Sequence, residues 1–128
     1  MSLVVLKSIH PNQTASEIAD MDYSLLSTPP SCCADFALVP IGTGNPSIAA
    51  ELAEVQRYLK SSGLKHTMHS TGTTLEGSWD EVMAAIGKAH AVVHQRNVAK
   101  VQSTVTVSTR TDKRETMEGK VDPVERAA

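Results

Sequence analysis

The feature that most constrains the fold of this chain is an apolar pattern that occurs twice, 34 residues apart. In each copy, four apolar residues follow one another at steps of 4, 3 and 4 residues, a spacing that places them on one face of a helix. The first copy consists of Ile48, Leu52, Val55 and Leu59, and the second of Val82, Ile86, Ala89 and Val93. The pattern predicts two amphipathic helices in equivalent positions of a duplicated module.

Segments typical of β-strands flank both predicted helices. Residues 34–42 (ADFALVPIG) precede the first helix, and residues 64–71 (LKHTMHST) follow it. Residues 72–77 (GTTLEG) are predicted as a turn leading into a short third strand, and residues 98–109, rich in β-branched side chains, as a long last strand. Because the repeated unit contains strands and occurs only twice, a helical solenoid is disfavoured. The chain is predicted to form an α+β, ferredoxin-like βαββαβ sandwich, an antiparallel sheet with two helices on one face.

Residues that favour helix ends support both helices. Asn45 is predicted to cap the first helix, with Pro46 at its first position and the turn-forming residues 61–63 (SSG) at its end. Ser78 and Glu81 have the spacing of a capping box, in which each side chain accepts a hydrogen bond from the backbone N–H group of the other residue. This pair is predicted to mark the start of the second helix.

Length and composition predict one domain between two flexible ends. A chain of 128 residues with 41% hydrophobic residues is long enough to form one packed core but too short to form two cores of adequate size. Residues 1–33 include a proline-containing turn (STPPS, 27–31) and are predicted to form a flexible extension. The domain is expected to span residues 34–122, with a short helical piece at 115–121, and residues 123–128 are expected to form a flexible tail.

The overall charge and composition exclude several classes of partner. A net charge of −2 and an aromatic content of 3% provide neither the positive field nor the stacking surfaces of a nucleic-acid-binding protein. No segment reaches the roughly 18 apolar residues that a membrane-spanning helix requires. The adjacent pair Cys32-Cys33 is poorly spaced for a disulfide and favours a reducing compartment. The sequence thus predicts a cytoplasmic protein that binds neither nucleic acid nor membranes.

The first predicted strand is apolar on both of its sides. Side chains alternate between the two faces of a strand. The residues on one side are Phe36, Leu38 and Pro40, and those on the other are Ala37, Val39 and Ile41. Each apolar side chain left in water forfeits roughly 1.5–3 kcal/mol of burial free energy. The face without helices is therefore predicted to meet another subunit, in a homodimer or a homotetramer.

Two motifs resemble a known family. They are VPIGTG.PSI, from residue 39, and SGLK...H..GT..EG.WDEVM..I..AH, from residue 62, where dots mark unmatched positions. Over residues 34–121 the chain resembles the small thiamine-binding proteins, also called YkoF-like, and TRTDK (109–113) resembles the fungal-type members. The resemblance implies a ferredoxin-like fold, homo-oligomers that bury the open sheet face, and non-catalytic binding of thiamine or its hydroxymethylpyrimidine part.

Polar residues near the two predicted helix starts are candidates to bind such a ligand. Thr43 and Ser47 flank the first start, where free backbone N–H groups favour an anion or an electron-rich ring edge, and turn or capping duty is the alternative. Glu76 can form charge-assisted hydrogen bonds with the aminopyrimidine or the cationic thiazolium, or it can serve only as a partner of the helix dipole. The ligand is predicted to lie between the loop of residues 43–47 and residues 71–79, near a subunit boundary.

Hydroxyl and ring side chains close to Glu76 complete the predicted site. Thr71 and Thr73 offer hydroxyl groups, although threonine is also a common strand residue. His69 can hydrogen-bond a ring nitrogen, and Trp79 can stack on a heterocycle or anchor its helix to the sheet. The predicted ligand-binding set is Thr43, Ser47, His69, Thr71, Thr73, Glu76 and Trp79.

A charged segment near the C terminus offers a candidate anion site. Arg110, Lys113 and Arg114 can hold a sulfate- or phosphate-like group, and a solvated charged turn is the alternative. No metal site is predicted: His90 and His94 are one helical turn apart, but the glutamate of an H-E-x-x-H motif is missing.

The sequence contains no convincing catalytic group. It has no G-x-S-x-G motif, and the loop GTGNPS (42–47) lacks the lysine of a phosphate-binding P-loop. The predicted function is non-catalytic binding of thiamine or its pyrimidine part, without a further cofactor. An enzyme acting on a small heterocycle and a structural or regulatory oligomer that binds another metabolite are the alternatives.

Overall fold

The computed structural model describes residues 20–128, which form a four-stranded sheet and three α-helices. The strands are β1 (Cys32–Ile41), β2 (Lys65–His69), β3 (Gly72–Gly77) and β4 (Lys100–Ser108). The helices are α1 (Ala49–Ser62), α2 (Trp79–His94) and α3 (Met117–Ala127), and a 3₁₀ turn spans Tyr23–Leu25. The strand order β2-β3-β1-β4, with every neighbouring pair antiparallel, is that of the predicted ferredoxin-like fold.

The two copies of the apolar pattern form α1 and α2, which pack with one face of the sheet into a common core. Leu59 of α1 and both Val82 and Val93 of α2 are fully buried, at 0% exposure. Two residues near the ends of these helices have the left-handed conformation: Gly63, directly after α1, with φ 75°, and Asn97, three residues after the end of α2, with φ 62°. Because these two residues are also 34 positions apart, the duplication extends to the backbone at the helix ends.

The starts of the two helices differ. At α2 the predicted capping box is confirmed: Ser78 Oγ accepts the Glu81 N–H at 3.2 Å, and Glu81 Oε1 accepts the Ser78 N–H at 3.1 Å. The prediction that Asn45 caps α1 is wrong, because α1 begins at Ala49 and has no side-chain cap. Asn45 Oδ1 instead accepts the Ser47 N–H at 2.9 Å, so the loop turns on itself before the helix begins.

Strand β1 begins two residues before the strand predicted from the sequence. The first residues of β1 are Cys32 and Cys33, which are buried at 0% and 2% exposure and do not belong to an extension. The Trp79 N–H donates to the Pro29 carbonyl at 3.2 Å, which ties the chain before β1 to the start of α2. Of the predicted flexible extension, residues 1–19 lie outside the described residues.

Two further segments differ from their prediction. Residues 72–77, predicted as a turn leading into a strand, are strand β3 itself, which pairs with β1 and β2. The helical piece predicted at 115–121 is the longer helix α3, which continues through most of the residues predicted as a flexible tail. Thr116 caps this helix by accepting the Gly119 N–H at 3.0 Å, a start signal of the same kind as the one at α2.

The helix-free face of the sheet is partly apolar. The predicted alternation of β1 is confirmed, since Phe36 and Leu38 are buried beneath the helices. On the other face, Val39 and Ile41 are 46% and 39% exposed. At the far end of the sheet, α3 packs against β3. The large apolar residues of β1 that are exposed, Val39 and Ile41, lie near the end of that strand.

Candidate functional site

A pocket of about 250 Å³ opens between α1, the end of β1 and the β2–β3 hairpin. Its walls are largely apolar and include Leu38, Ile48, Leu52 and Val55. Ile48 and Leu52 begin the first copy of the apolar pattern but are only partly buried, so they border this pocket instead of the closed core. The volume suits one small heterocycle, since pockets for larger ligands measure roughly 300–1,000 Å³.

A glycine allows the hairpin to lie close to β1. A side chain at Gly72 would overlap with the backbone carbonyl of Phe36, so only glycine permits this approach. The approach brings Thr71 and Thr73, on either side of the glycine, to the wall of the pocket. The hairpin thereby positions two of the predicted ligand-binding residues.

A hydrogen-bonded polar pair faces the apolar walls. Gln56 Nε2 on α1 donates to Thr73 Oγ1 on β3 at 2.9 Å, and Thr73 is 4% exposed. This bond leaves the side-chain carbonyl oxygen of Gln56 as an acceptor and the hydroxyl proton of Thr73 as a donor. An acceptor beside a donor in an apolar pocket matches a ligand edge that presents one donor beside one acceptor.

His69 at the rim of the pocket lies between a hydroxyl and a carboxylate. Its Nδ1 is 3.3 Å from Thr71 Oγ1, and its Nε2 is 3.6 Å from Asp35 Oδ1. The Thr74 hydroxyl also donates to Asp35. The hydroxyl and the carboxylate on either side of the imidazole can orient its ring toward a ligand in the pocket.

Three of the seven predicted ligand-binding residues, His69, Thr71 and Thr73, line the pocket. Glu76 and Trp79 do not, because β3 runs away from the pocket and three residues of extended strand separate Thr73 from Glu76 by about 10 Å. All five residues are close in sequence. Because of the direction of β3, however, the first three lie at the pocket, and Glu76 and Trp79 lie at the opposite end of the strand.

Thr43 and Ser47 lie in the loop before α1 and form contacts within it. Thr43 Oγ1 donates to the Asn45 carbonyl at 3.1 Å, and Ser47 Oγ accepts the Ala49 N–H at 3.4 Å. Neither side chain lines the pocket. Their contacts are therefore those of the turn and capping alternative.

Glu76 supports the packing of α3. It is buried, at 8% exposure, and its Oε1 accepts the Met117 N–H at 2.9 Å. Lys65 Nζ, on the neighbouring strand, lies 3.7 Å from the same oxygen. Because Met117 is the first residue of α3, the carboxylate meets the positive end of that helix. Trp79 packs against the hydrophobic core, so its ring anchors α2 to the sheet.

The three predicted anion-binding residues near the C terminus have different surroundings. Arg110 donates to both carboxylate oxygens of Asp112, at 2.7 and 2.6 Å, and this pairing lowers the pKa of Asp112 to about 2. Lys113 is exposed in the same loop. Of the three predicted anion-binding residues, Arg114 is the one that lines a second pocket, of about 500 Å³, beside α2.

Two residues of the first pocket and its rim were not predicted from the sequence. Gln56 interrupts the apolar stripe of α1, between Leu52 and Leu59, and a polar side chain on a buried stripe indicates a pocket or a buried hydrogen bond. Asp35 is the one acidic residue in the apolar first strand, and a carboxylate in such a strand indicates a position that is open to solvent or to a polar partner. Both signals are polar exceptions to an apolar pattern.

Residues 20–128 contain no group of three or more His, Cys, Asp or Glu side chains arranged to hold a metal ion. In the same part of the chain, no helix is long and apolar enough to cross a membrane. His90 Nε2 lies 2.7 Å from Ser103 Oγ, and His94 Nδ1 lies 2.7 Å from the Val98 carbonyl oxygen. The two histidines therefore connect α2 to the last strand and to the loop before it.

Comparison with known proteins finds relatives over most of the domain. The sequence model of the family described as thiamine-binding protein matches residues 34–125. A UPF0045 protein of Eremothecium gossypii is 42% identical over 92 residues, which are 72% of this chain and 88% of that protein. A UPF0045 protein of Synechocystis sp. is 44% identical over 91 residues, which are 71% of this chain and 74% of that protein.

Solved structures share the fold. A hypothetical protein of Methanocaldococcus jannaschii superposes with a TM-score of 0.67 at 29% sequence identity, covering 74% of this chain and 96% of that one. A Thermotoga maritima protein whose suggested role is thiamine biosynthesis or salvage superposes with a TM-score of 0.64 at 18% identity, covering 74% of this chain and 99% of that one. At that identity the second likeness concerns the fold alone.

Proposed function

Because the chain belongs to the thiamine-binding protein family, we propose that it binds thiamine, or the hydroxymethylpyrimidine part of thiamine, without converting it chemically. Family membership supports a small-molecule-binding role, and the pocket between α1 and the β2–β3 hairpin is the proposed site. The observation that carries the proposal is the hydrogen-bonded pair of Gln56 and Thr73, which presents an acceptor and a donor in an apolar pocket.

The polar pair suits the edge of an aminopyrimidine. Such an edge has a ring nitrogen, which accepts a hydrogen bond, next to an amino group, which donates one. In the proposed complex the Thr73 hydroxyl donates to the ring nitrogen, and the Gln56 carbonyl oxygen accepts from the amino group. Ile48 and Leu52 contact the ring, where burial of apolar surface is favourable.

Asp35 replaces Glu76 as the proposed partner of the cationic thiazolium of intact thiamine. Glu76 is engaged by α3, whereas Asp35 Oδ1 lies 3.6 Å from Nε2 of His69, which lines the pocket, and 55% of the Asp35 side chain is exposed. A carboxylate next to a cationic ring provides a charge-assisted interaction that the neutral pyrimidine part cannot use. Intact thiamine is therefore expected to depend on Asp35 more than its pyrimidine part does.

A second copy of the chain is proposed to cover the helix-free sheet face, giving a homodimer or homotetramer in the cytoplasm. Val39 connects this face to the site, since it lines the pocket and is 46% exposed. Covering Val39 and Ile41 buries apolar surface and at the same time closes one side of the pocket. In this arrangement the ligand lies near a subunit boundary.

Isothermal titration calorimetry with thiamine and with hydroxymethylpyrimidine tests the site. Thr73→Val and Gln56→Leu remove the donor and the acceptor at nearly constant volume, and each is expected to weaken binding of both ligands about tenfold. Thr109→Val, at an exposed position outside the pocket, is the control and is expected to leave the affinity unchanged. Absence of binding to the unmodified protein at millimolar ligand, or equal losses in all three variants, contradicts the proposal.

The charge role is tested by comparing two carboxylates. Asp35→Asn is expected to weaken binding of intact thiamine more than binding of hydroxymethylpyrimidine, because only thiamine has the cationic ring. Glu76→Gln is the comparison, since the sequence favoured Glu76 for the same role. If Glu76→Gln discriminates between the two ligands and Asp35→Asn does not, the ligand binds at the other end of β3.

Sedimentation velocity at micromolar concentration tests the proposed assembly. The unmodified protein is expected to sediment as a dimer or tetramer, and Val39→Lys as a monomer, because an unpaired charge is costly to bury in an apolar interface. An unmodified protein that sediments as a monomer contradicts the assembly.

Recovery of the ligand distinguishes binding from turnover. After incubation with the protein, thiamine is expected to be recovered unchanged by mass spectrometry. Accumulation of a product would support the enzymatic alternative, for which His69, between Thr71 and Asp35, is the candidate group.

A further inference from the structure

The second pocket, of about 500 Å³, lies between the end of α1, the middle of α2, strands β2 and β3 and the loop before α3, and it shares no lining residue with the proposed thiamine pocket. Its charged lining residues are the basic Lys65, Lys88 and Arg114 and the acidic Glu76 and Glu81. The pocket therefore combines an excess of positive charge with enough volume for a small metabolite.

The acidic residues of the second pocket already have partners within the protein. Glu81 Oε1 accepts the Ser78 N–H at 3.1 Å, and Glu76 Oε1 accepts the Met117 N–H at 2.9 Å. The hydrogen bonds with Ser78 hold the pKa of Glu81 below its ordinary value, so this carboxylate stays ionised at the start of its own helix. Lys65 is similarly engaged, with its Nζ 2.6 Å from a carboxylate oxygen of α3.

Lys88 and Arg114 are the basic residues of the pocket that remain available. Across residues 20–128, no carboxylate oxygen lies within 4.0 Å of the charged nitrogens of either side chain. Both residues are exposed, and they reach the pocket from different elements, α2 and the loop before α3. Arg114 is near enough to Glu81 to contribute to the lowered pKa of that carboxylate. An anionic ligand between Lys88 and Arg114 would supply a partner at bonding distance, which no carboxylate of residues 20–128 provides.

We propose that the second pocket binds a small phosphate-bearing metabolite. The planar guanidinium of Arg114 donates two parallel hydrogen bonds to phosphate oxygens, and the Lys88 ammonium adds a compact positive charge. Tyr58, which packs partly against the core, provides an aromatic wall for the organic part of the ligand. The proposal does not depend on thiamine binding in the first pocket.

Phenyl phosphate is the probe, because it joins a dianionic phosphate to an aromatic ring, and phenol is its neutral counterpart. Chemical-shift perturbation of the ¹⁵N-labelled protein is expected to show saturable binding of phenyl phosphate, with shifts at Lys88 and Arg114, and no binding of phenol. Arg114→Gln and Lys88→Gln are each expected to weaken binding about tenfold. Arg110→Gln is the matched control in the same loop, because Arg110 is already paired with Asp112.

Three results of the phenyl phosphate experiments would overturn the proposal. They are the absence of saturable binding at millimolar phenyl phosphate, equal binding of phenol, and an equal loss for Arg110→Gln and Arg114→Gln, which would indicate general attraction to a basic surface. Titration of Arg114→Gln with thiamine tests whether thiamine and phenyl phosphate bind at separate sites. Unchanged thiamine affinity alongside weakened phenyl phosphate binding supports a separate phosphate site, and a parallel loss of both overturns it.

Discussion

The two copies of the apolar pattern have the same spacing but different burial. α2 buries five residues against the sheet and its partner helix, whereas α1 buries two. Ile48 and Leu52 correspond in the repeat to Val82 and Ile86, yet they are only partly buried and line the candidate pocket. A duplicated module has therefore diverged in use: one copy completes the core, and the first turns of the other leave space for a ligand.

The largest expected effect comes from deleting the same side chain at a core position and at a pocket position of α1. Leu59 is fully buried, so Leu59→Ala is expected to lower the free energy of unfolding by about 2–5 kcal/mol. Leu52 borders the pocket, where fewer contacts are lost, and Leu52→Ala is expected to cost roughly 1 kcal/mol. Urea denaturation followed by circular dichroism measures both values. Equal losses would show that α1 is packed as fully as α2.

The left-handed residues after the two helices provide a second comparison. Gly63→Ala places a Cβ atom on a backbone with φ 75°, and although the space around it is open, the strain is expected to cost about 1–2 kcal/mol of unfolding free energy. Asparagine tolerates this conformation, so Asn97→Gly is expected to remain within roughly 0.5 kcal/mol of the unmodified protein. The same denaturation experiment applies, and a neutral Gly63→Ala would mean that α1 ends differently in solution.

The helix starts should also respond unequally. Ser78→Ala breaks the capping box of α2 and is expected to lower the free energy of unfolding by about 1 kcal/mol. Asn45→Ala removes a hydrogen bond within an exposed loop and is expected to cost less than about 0.5 kcal/mol. Thermal unfolding of the two variants checks this difference. A larger loss for Asn45→Ala would mean that the loop before α1 contributes more to the fold than its exposure indicates.

The fold could be predicted because its strongest signals are local. The spacing of apolar residues, the pair Ser78 and Glu81, and the correspondence of Gly63 with Asn97 each depend on neighbours within one turn or on the fixed repeat. The start of α1 was misplaced because Asn45 has two local uses, as a helix cap or in a turn, and the sequence does not decide between them.

The site could be predicted only in part because its contacts are not local. Gln56 and Thr73 are 17 residues apart and meet only when α1 packs on β3. Glu76 is close to Thr73 in sequence, but the direction of the strand and the arrival of α3 decide that its carboxylate serves a helix start. Residue type therefore indicated which chemistry was available, whereas the packing of distant elements determined where it is used.

α3 extends the comparison to a helix that has no buried residue. A polar contact holds it to the sheet: Lys65 Nζ donates to Glu118 Oε1 at 2.6 Å, and this bond holds the pKa of Glu118 below its ordinary value. A carboxyl group with a lowered pKa stabilises the folded state above its ordinary pKa and loses that contribution as the pH falls through the lowered value. Glu118→Gln is therefore expected to be slightly less stable than the unmodified protein near about pH 7, and equally stable once the pH has fallen below the lowered pKa of Glu118.

Urea denaturation of both proteins across this pH range measures the effect of Glu118. Glu125→Gln is the matched control, because it removes the same charge about two helical turns further along α3. The control is expected to show no such pH dependence, since the contribution comes from the bond to Lys65 and not from the net charge of the helix. A stability difference for Glu118→Gln that grows on acidification would show that the carboxylate opposes the docking of α3, contrary to the geometry of its bond with Lys65.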